Sequence, residues 1–202
     1  MLLPAAATAM IAVHYQNEVL HPEGKVRVGL GEAMTHERET LVAAASRLIA
    51  GMRAAGALVV AVRAAFRPDY KDVIQNGAIF RNLVARGAFQ EGSWGCEFFR
   101  GLAPLPEDFV VTHHRVNPFY GSELDLVLRI LDVRYLVIAG IATHSAVEHA
   151  VRHAADIGYE VIVAQDACSS AERAMHEASL RSMSLIATIS DSAAIIASLK
   201  SG

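Results

Sequence analysis

Four histidines of this chain stand just beyond short apolar runs: His14 after Thr8–Val13, His113 and His114 after Phe109–Thr112, and His144 shortly after Tyr135–Ala139. An imidazole titrates near neutral pH, so it can give or take a proton, polarise a carbonyl or ligate a metal. If the runs are neighbouring strands, their ends converge. Successive residues on a strand face opposite sides, so only one of His113 and His114 is expected to look into a shared site. Phe66, Trp94, Phe119 and Tyr120 are placed to wall a pocket around a small flat or unsaturated substrate, with His114 and His144 beside them. Arg67 or Arg115 could hold a substrate carboxylate through two parallel hydrogen bonds. Each of these side chains also has an ordinary role open to it, in packing, capping or solvation. His149 and His153 lie four apart on a helix, a spacing that can bind zinc, but no third ligand is evident and a solvated or oligomer-facing surface is the expectation. A metal held by His14, His113 and His144 stays open, because imidazole suits zinc, copper or nickel.

The elements that must position these groups are legible from period and punctuation. β-rich apolar runs at Thr8–Val13, Ala57–Val62, Phe109–Thr112, Tyr135–Ala139, Glu160–Ala164 and Ala187–Ser190 alternate with helical segments, which predicts a parallel sheet covered by helices on both faces. Leu41, Ala45, Leu48, Ile49 and Met52 recur at helical spacing, with Thr35 as the candidate cap and Gly56 as the stop. Ser122-Glu-Leu-Asp125 has the form of a capping box ahead of Leu124, Val127, Leu128 and Leu131. Further helices are expected over His144–Ile157, with Gly158 as the stop, over Glu172–Ile186, and over Ser192–Leu199. The segment Arg67–Asp108 is long and Gly-rich around one helical patch near Ile79, Phe80, Leu83 and Val84, and loops of that length inside a domain usually serve function. In open α/β sheets ligands bind beyond the carboxyl ends of the strands, where strand order reverses. Three of the nine histidines, His14, His113 and His144, fall at such ends.

Composition narrows the class. With 53% hydrophobic and 19% charged residues and a net charge of -3, the chain of 202 residues can bury a core and is not a disordered or low-complexity sequence. The length suits one domain, 1–202. A mildly acidic balance offers no basic footprint for nucleic acid or an anionic membrane, so neither is expected as a partner. No apolar run reaches the roughly 18 residues of a membrane helix, and the apolar start lacks a charged leader and meets Pro4 at once, so a cytoplasmic location is expected. Two cysteines, Cys96 and Cys168, are too few for a disulfide framework and point to a reducing compartment.

Taken in order, Ala9-Met-Ile-Ala-Val-His-Tyr-Gln-Asn17, Phe119-Tyr-Gly-Ser-Glu-Leu-Asp-Leu126, Gly140-Ile-Ala-Thr143 and Gly158-Tyr-Glu-Val-Ile-Val-Ala-Gln-Asp-Ala167 resemble the isochorismatase-like hydrolases, which include nicotinamidases and other cysteine amidohydrolases. The resemblance covers nearly the whole chain. It implies a three-layer α/β/α fold with a doubly wound, six-stranded parallel sheet, usually in an oligomer, a small-molecule substrate, and a site at the carboxyl edge. Amidases of that family use an Asp, a Lys and a Cys. Carried over, the Asp falls on His14, the Cys on Ala146, and the Lys on His113, or on Thr112 or His114 if the register shifts by one. All three positions depart from the pattern, and an alanine methyl cannot attack a carbonyl. Neither Cys96 nor Cys168 is placed to substitute; both read as small buried or loop residues. The Asp-x-His metal motif of nicotinamidase-like members is replaced by Arg63-Ala-Ala-Phe-Arg-Pro-Asp69.

What the resemblance preserves is Gly140-Ile-Ala-Thr143. There it implies a cis peptide at Ile141–Ala142 and an oxyanion hole from the backbone N–H groups of Ala142 and Ala146, donors that do not depend on the side chain at 146. The expectation is a hydrolase acting on a carbonyl or enol ether without a cysteine nucleophile. His14 and His113 would be its acid/base or polarising groups, and no cofactor or metal is expected. The alternative is a catalytically silent homologue that binds a small molecule or stabilises an assembly.

Overall fold

The computed structural model of the chain describes residues 2–31 and 34–200. Six strands form one sheet: β1 (Thr8–Val13), β2 (Leu58–Ala64), β3 (Phe109–His113), β4 (Tyr135–Ile141), β5 (Glu160–Ser169) and β6 (Thr188–Ser190). All pairings are parallel and the order across the sheet is β3-β2-β1-β4-β5-β6. Every residue of β1 and six of the seven of β4 are buried, as central strands covered on both faces require.

The helices are α1 (Asn17–Leu20), α2 (Thr35–Ala54), α3 (Ala78–Ala85), α4 (Leu124–Ile130), α5 (Glu148–Asp156), α6 (Arg173–Met183) and α7 (Ser192–Ser198). From β1 the chain steps one way across the sheet to β2, and from β4 it steps the other way to β5. Right-handed crossovers therefore place α2 and α5 on opposite faces. Consistently, α2 packs with α7 and α5 packs with α6. A two-residue parallel pairing of Leu3–Pro4 with Leu199–Lys200 lies outside the sheet.

The six expected strands are all present, and four run further at the carboxyl end than the apolar runs suggest. β2 continues through Arg63 and Ala64, β3 through His113, β4 through Ile141 and β5 through Ser169. Residues at these ends keep strand geometry because they face neighbouring strands, whatever their polarity. Two caps differ from expectation. Thr35 is the first residue of α2 rather than its cap, and Met34 precedes it without a side-chain cap bond. Ser122 Oγ accepts from Leu124 N and donates to Pro118 O, while Asp125 instead pairs with Arg129 and accepts from Tyr159, so no reciprocal box forms. The segment after β4 begins as a wide turn, Thr143–Val147, and becomes regular helix only at Glu148.

The sheet's order reverses between β1 and β4. There Gly140 has φ of +146°, and a Cβ on it would fall 2.1 Å from the Val13 carbonyl oxygen. Only glycine lets the two backbones meet that closely.

Candidate active site

At the end of β1 the chain turns through His14, whose φ of +55° lies in the left-handed region that few non-glycine residues adopt. Its N–H donates to the Val62 carbonyl at 2.9 Å, which fixes the turn against β2. His113 ends β3 in register with Ala64 of β2, and the imidazoles of His14 and His113 meet. Their rings are parallel within 4°, with centroids 4.7 Å apart and Nε2 atoms 2.5 Å apart. Nitrogens that close in parallel rings mean an edge-to-edge hydrogen bond, not face stacking. His14 Nδ1 lies 3.2 Å from the Ile141 carbonyl, which can only accept, so Nδ1 carries the hydrogen. In the neutral pair His14 Nε2 is then the acceptor, His113 Nε2–H donates to it, and His113 Nδ1 is left buried and without a partner.

Burial holds His14 down to about 4, against an opposing contribution from the Ile141 carbonyl. Burial, and next the neighbouring His14, push His113 well below the ordinary imidazole range, while the Arg115 backbone favours a proton there. Both imidazoles are therefore neutral at pH 7. Since the unfolded chain protonates near 6.5 and the folded pair resists, the fold loses stability as pH falls from about 6.5 towards 4. His14 alone accounts for roughly 3 kcal/mol across that window. Melting curves between pH 7.5 and 4.5 are expected to show a falling midpoint below pH 6.5, at about 2–4 °C per kcal/mol, and the His14→Gln variant is expected to flatten that fall.

On the β4 side the Ile141–Ala142 peptide is cis. The Ala142 carbonyl accepts from the N–H groups of Ser145 at 3.0 Å and Val147 at 3.3 Å, and Ser145 adopts φ −125° and ψ −107° inside the turn. A cavity of about 470 Å³ opens on this corner and is walled by His14, Ile141, Ala142, Ser145 and Ala146 together with Phe66 and Arg115. Its apolar side comes from Val26 and Val28, from Phe80 and Leu83 of α3, and from Phe89. Ser145 is the wall's hydroxyl-bearing residue, and its Oγ makes no hydrogen bond among the described residues.

Three side chains behind the wall hold it in place. Gln16, fully buried, donates through Nε2 to the carbonyls of Ala64 and Cys96 and accepts from Ala64 N–H at Oε1. Asn17 Nδ2 donates to the Trp94 carbonyl. Glu18, 1% exposed, accepts from Lys25 N at 2.8 Å and Phe89 N at 3.0 Å, tying two stretches of the wall to α1. Sequence reasoning singled out none of Glu18, Ser145, Arg27 and Arg86. Glu18 follows Gln16 and Asn17 in a polar run at the strand end, and nothing in that run marks it as buried.

Six residues expected at or beside the pocket wall do not line this cavity. His114 points away from His113, as alternation requires, lying 3.6 Å from Asp72 and edge-on to Phe66. Trp94 sits in a short turn at 44% exposure, edge-on to His21. Phe119 is drawn into the core against His153 and Tyr159, and the next residue, Tyr120, faces solvent. His144 Nδ1 is bound to Ser170 Oγ, so the three strand-end histidines do not converge as a ligand set. Arg67 pairs with Asp69 on the surface.

His149 Nδ1 donates to the Ser145 carbonyl. Asn117 Oδ1 accepts from Phe119 N, which turns its amide nitrogen to His153 Nδ1. Neutral His153 therefore carries its hydrogen on Nε2 and presents no lone pair for a metal. Cys96 and Cys168 are buried and unpaired, and burial pushes their thiols up to about 11 and about 12.

Residues 8–194 match the isochorismatase domain family. The chain belongs to the isochorismatase family. Within it the chain is 27% identical over 178 residues to the isochorismatase family protein YecD of Escherichia coli O157:H7, covering 88% of each. It is 31% identical over 179 residues to the ureidoacrylate amidohydrolase RutB of Variovorax paradoxus, covering 83% of this chain and 70% of the relative. A cysteine hydrolase from Pseudomonas syringae shares the fold, with a TM-score of 0.87 at 22% identity over 98% of this chain and 94% of that one. The protein is thus an isochorismatase-family hydrolase with a six-stranded parallel sheet, and among its described residues no helix is long and apolar enough to cross a membrane.

Proposed function

We propose that this isochorismatase-family hydrolase cleaves a small carbonyl- or enol-ether-containing substrate without a cysteine nucleophile, using the His14–His113 pair as its proton carrier. The observation that carries the reading is the pair itself: two hydrogen-bonded imidazoles at the switch point of the sheet, with His14 in the wall of a cavity that also touches Ala142 and Ala146. Neutral at pH 7, the pair is a base. A water attacking the substrate carbon would give up its proton to the pair's one free lone pair, at His113 Nδ1, while the hydrogen between the two Nε2 atoms passes from His113 to His14. The surplus proton is then shared. His14 donates to Ile141 O and to His113 Nε2, and the Arg115 backbone favours the remaining N–H at His113 Nδ1. The proton thereby occupies the nitrogen whose lone pair the neutral pair leaves free. The Ala142 and Ala146 amides would hold the oxyanion, and the proton returns to the leaving nitrogen or oxygen.

The direct test is a panel of small amides and vinyl ethers assayed with wild type and with Ala146→Cys. Wild type is expected to turn over at least one member. Ala146→Cys is expected to raise amide hydrolysis by about tenfold or more, because a thiol there would face the same oxyanion donors. No turnover by wild type on a broad panel would leave the silent-homologue reading standing. An Ala146→Cys variant that gains nothing on amides would show that the turn does not present position 146 to substrate.

A further inference from the structure

Among the described residues the cavity wall contains no aspartate or glutamate, yet three arginines line it, Arg27, Arg86 and Arg115. They come from three separate segments: the stretch after α1, the carboxyl end of α3 and the residues after β3. Among the described residues no carboxylate lies within ion-pair distance of any of them. Each is tethered by neutral oxygens instead. Arg115 donates from Nη1 to Ile74 O at 3.0 Å and from Nη2 to Asn76 Oδ1 at 2.8 Å, and its guanidinium carbon lies 3.8 Å over the Phe80 ring. Arg86 Nη1 donates to Lys25 O at 2.7 Å, and Arg27 donates to the carbonyls of His21 at 3.4 Å and Pro22 at 2.5 Å. A guanidinium has five N–H donors, so Arg115 keeps three after its two tethers. Its orientation is fixed before any ligand arrives, which lowers the entropy cost of engaging one.

We infer that the ligand of this cavity is a small carboxylate with an apolar body, its anionic end held by Arg115 with Arg86 and Arg27 at the rim. This rests on the reading of the cavity as the substrate site, and it names the substrate's class. Phe66, Phe80, Leu83 and Phe89 supply apolar surface for the body of the molecule, while His14, Ala142 and Ala146 stand in the same wall where the bond to be cleaved would lie. Positive charge that no carboxylate pairs with among the described residues, set beside apolar walls, rewards an anion twice, through charge-assisted hydrogen bonds and through the local field. The same surroundings disfavour a cation and gain little from a neutral amide.

The test is calorimetric binding of matched probes: benzoate, phenylacetate and 3-phenylpropanoate, each against its own primary amide, at pH 7. At least one acid is expected to bind about tenfold or more tightly than its amide, with the preference reduced by 0.5 M salt. Arg115→Met keeps the stem over Phe80 and is expected to cut the preference to below about threefold. Arg86→Met, at a more exposed position, supplies a second variant should Arg115→Met fold poorly, and it is expected to reduce the preference less. Equal binding of acid and amide, a preference that survives both variants, or no acid binding at millimolar concentration would overturn the inference. Because binding is read without turnover, the outcomes separate. Acids that bind tightly to a protein inactive on the whole panel would sink the hydrolytic reading and leave this one intact, whereas turnover confined to neutral substrates would do the reverse.

Discussion

Replacing His14 with alanine is expected to lower kcat by about 10²–10⁴, the range a positioned general acid or base supplies, and His113→Ala is expected to do nearly the same. The second expectation follows from the geometry. His113 does not line the cavity, but its Nε2 is the only hydrogen-bond partner of His14 Nε2 among the described residues, and its orphaned Nδ1 is where the surplus proton's charge can spread. Groups acting as one unit are far from additive, so the double variant should be scarcely slower than either single one. A multiplicative double loss, or a single variant within threefold of wild type, would dissolve the pair as the proton carrier. The pH profile decides the direction of proton flow. With His14 held near 4, a base mechanism gives a rate that is flat through neutral pH and falls as pH drops through about 4. A rate that instead climbs below pH 5 would mean that the imidazolium is the working form, as protonation of an enol ether requires.

The Glu18→Gln variant is expected to lose about 1–3 kcal/mol of stability and to raise KM several-fold while changing kcat little. Glu18 is a positioning residue. Its two carboxylate oxygens take the N–H groups of Lys25 and Phe89, and Gly95 packs so tightly on it that a Cβ there would fall 2.1 Å from Oε2. In the glutamine variant an NH₂ group must face one of those N–H donors, leaving a buried donor unpaired at about 1–3 kcal/mol, and packing around the carboxylate leaves no room to turn away. The two tethered segments carry Val26, Arg27, Val28 and Phe89 of the cavity wall, hence the effect on KM. Urea unfolding and steady-state kinetics check this together. A variant within 0.5 kcal/mol of wild type with unchanged KM would assign Glu18 no such part.

The sheet was legible because fully buried parallel strands announce themselves as short apolar runs, and His14 and His113 were legible because they follow two of those runs. Alternation along β3 separates His113 from His114, but neither lines the cavity, and His113 reaches it only through His14. The cavity wall was not legible. Phe80 and Leu83 look like any amphipathic patch, Arg27 and Arg86 like solvated charges, and only folding of the stretch after α1 and of α3 over the sheet edge brings them to one cavity. Phe119 and Tyr120 misled for a related reason. They follow β3, but the bend at Pro118 sends one ring into the core and the other outward, so their nearness to the site in sequence carries no information about direction.

The contact between Gly140 and Val13 bears on how this protein can change over evolutionary time. With no room for even a methyl group between those backbones, the spacing from His14 to the 141–146 turn is set by strand register and is closed to gradual adjustment. The opposite wall is closed at a few points as well: a Cβ on Gly24 would fall 2.4 Å from the Asn17 carbonyl oxygen, and one on Gly29 1.9 Å from Ile141 Cγ2. Helix α3 takes no part in the sheet pairings. New ligand preferences would therefore be acquired first by exchanging side chains of α3, such as Ile79, Phe80 and Leu83, around a corner whose dimensions the backbone holds.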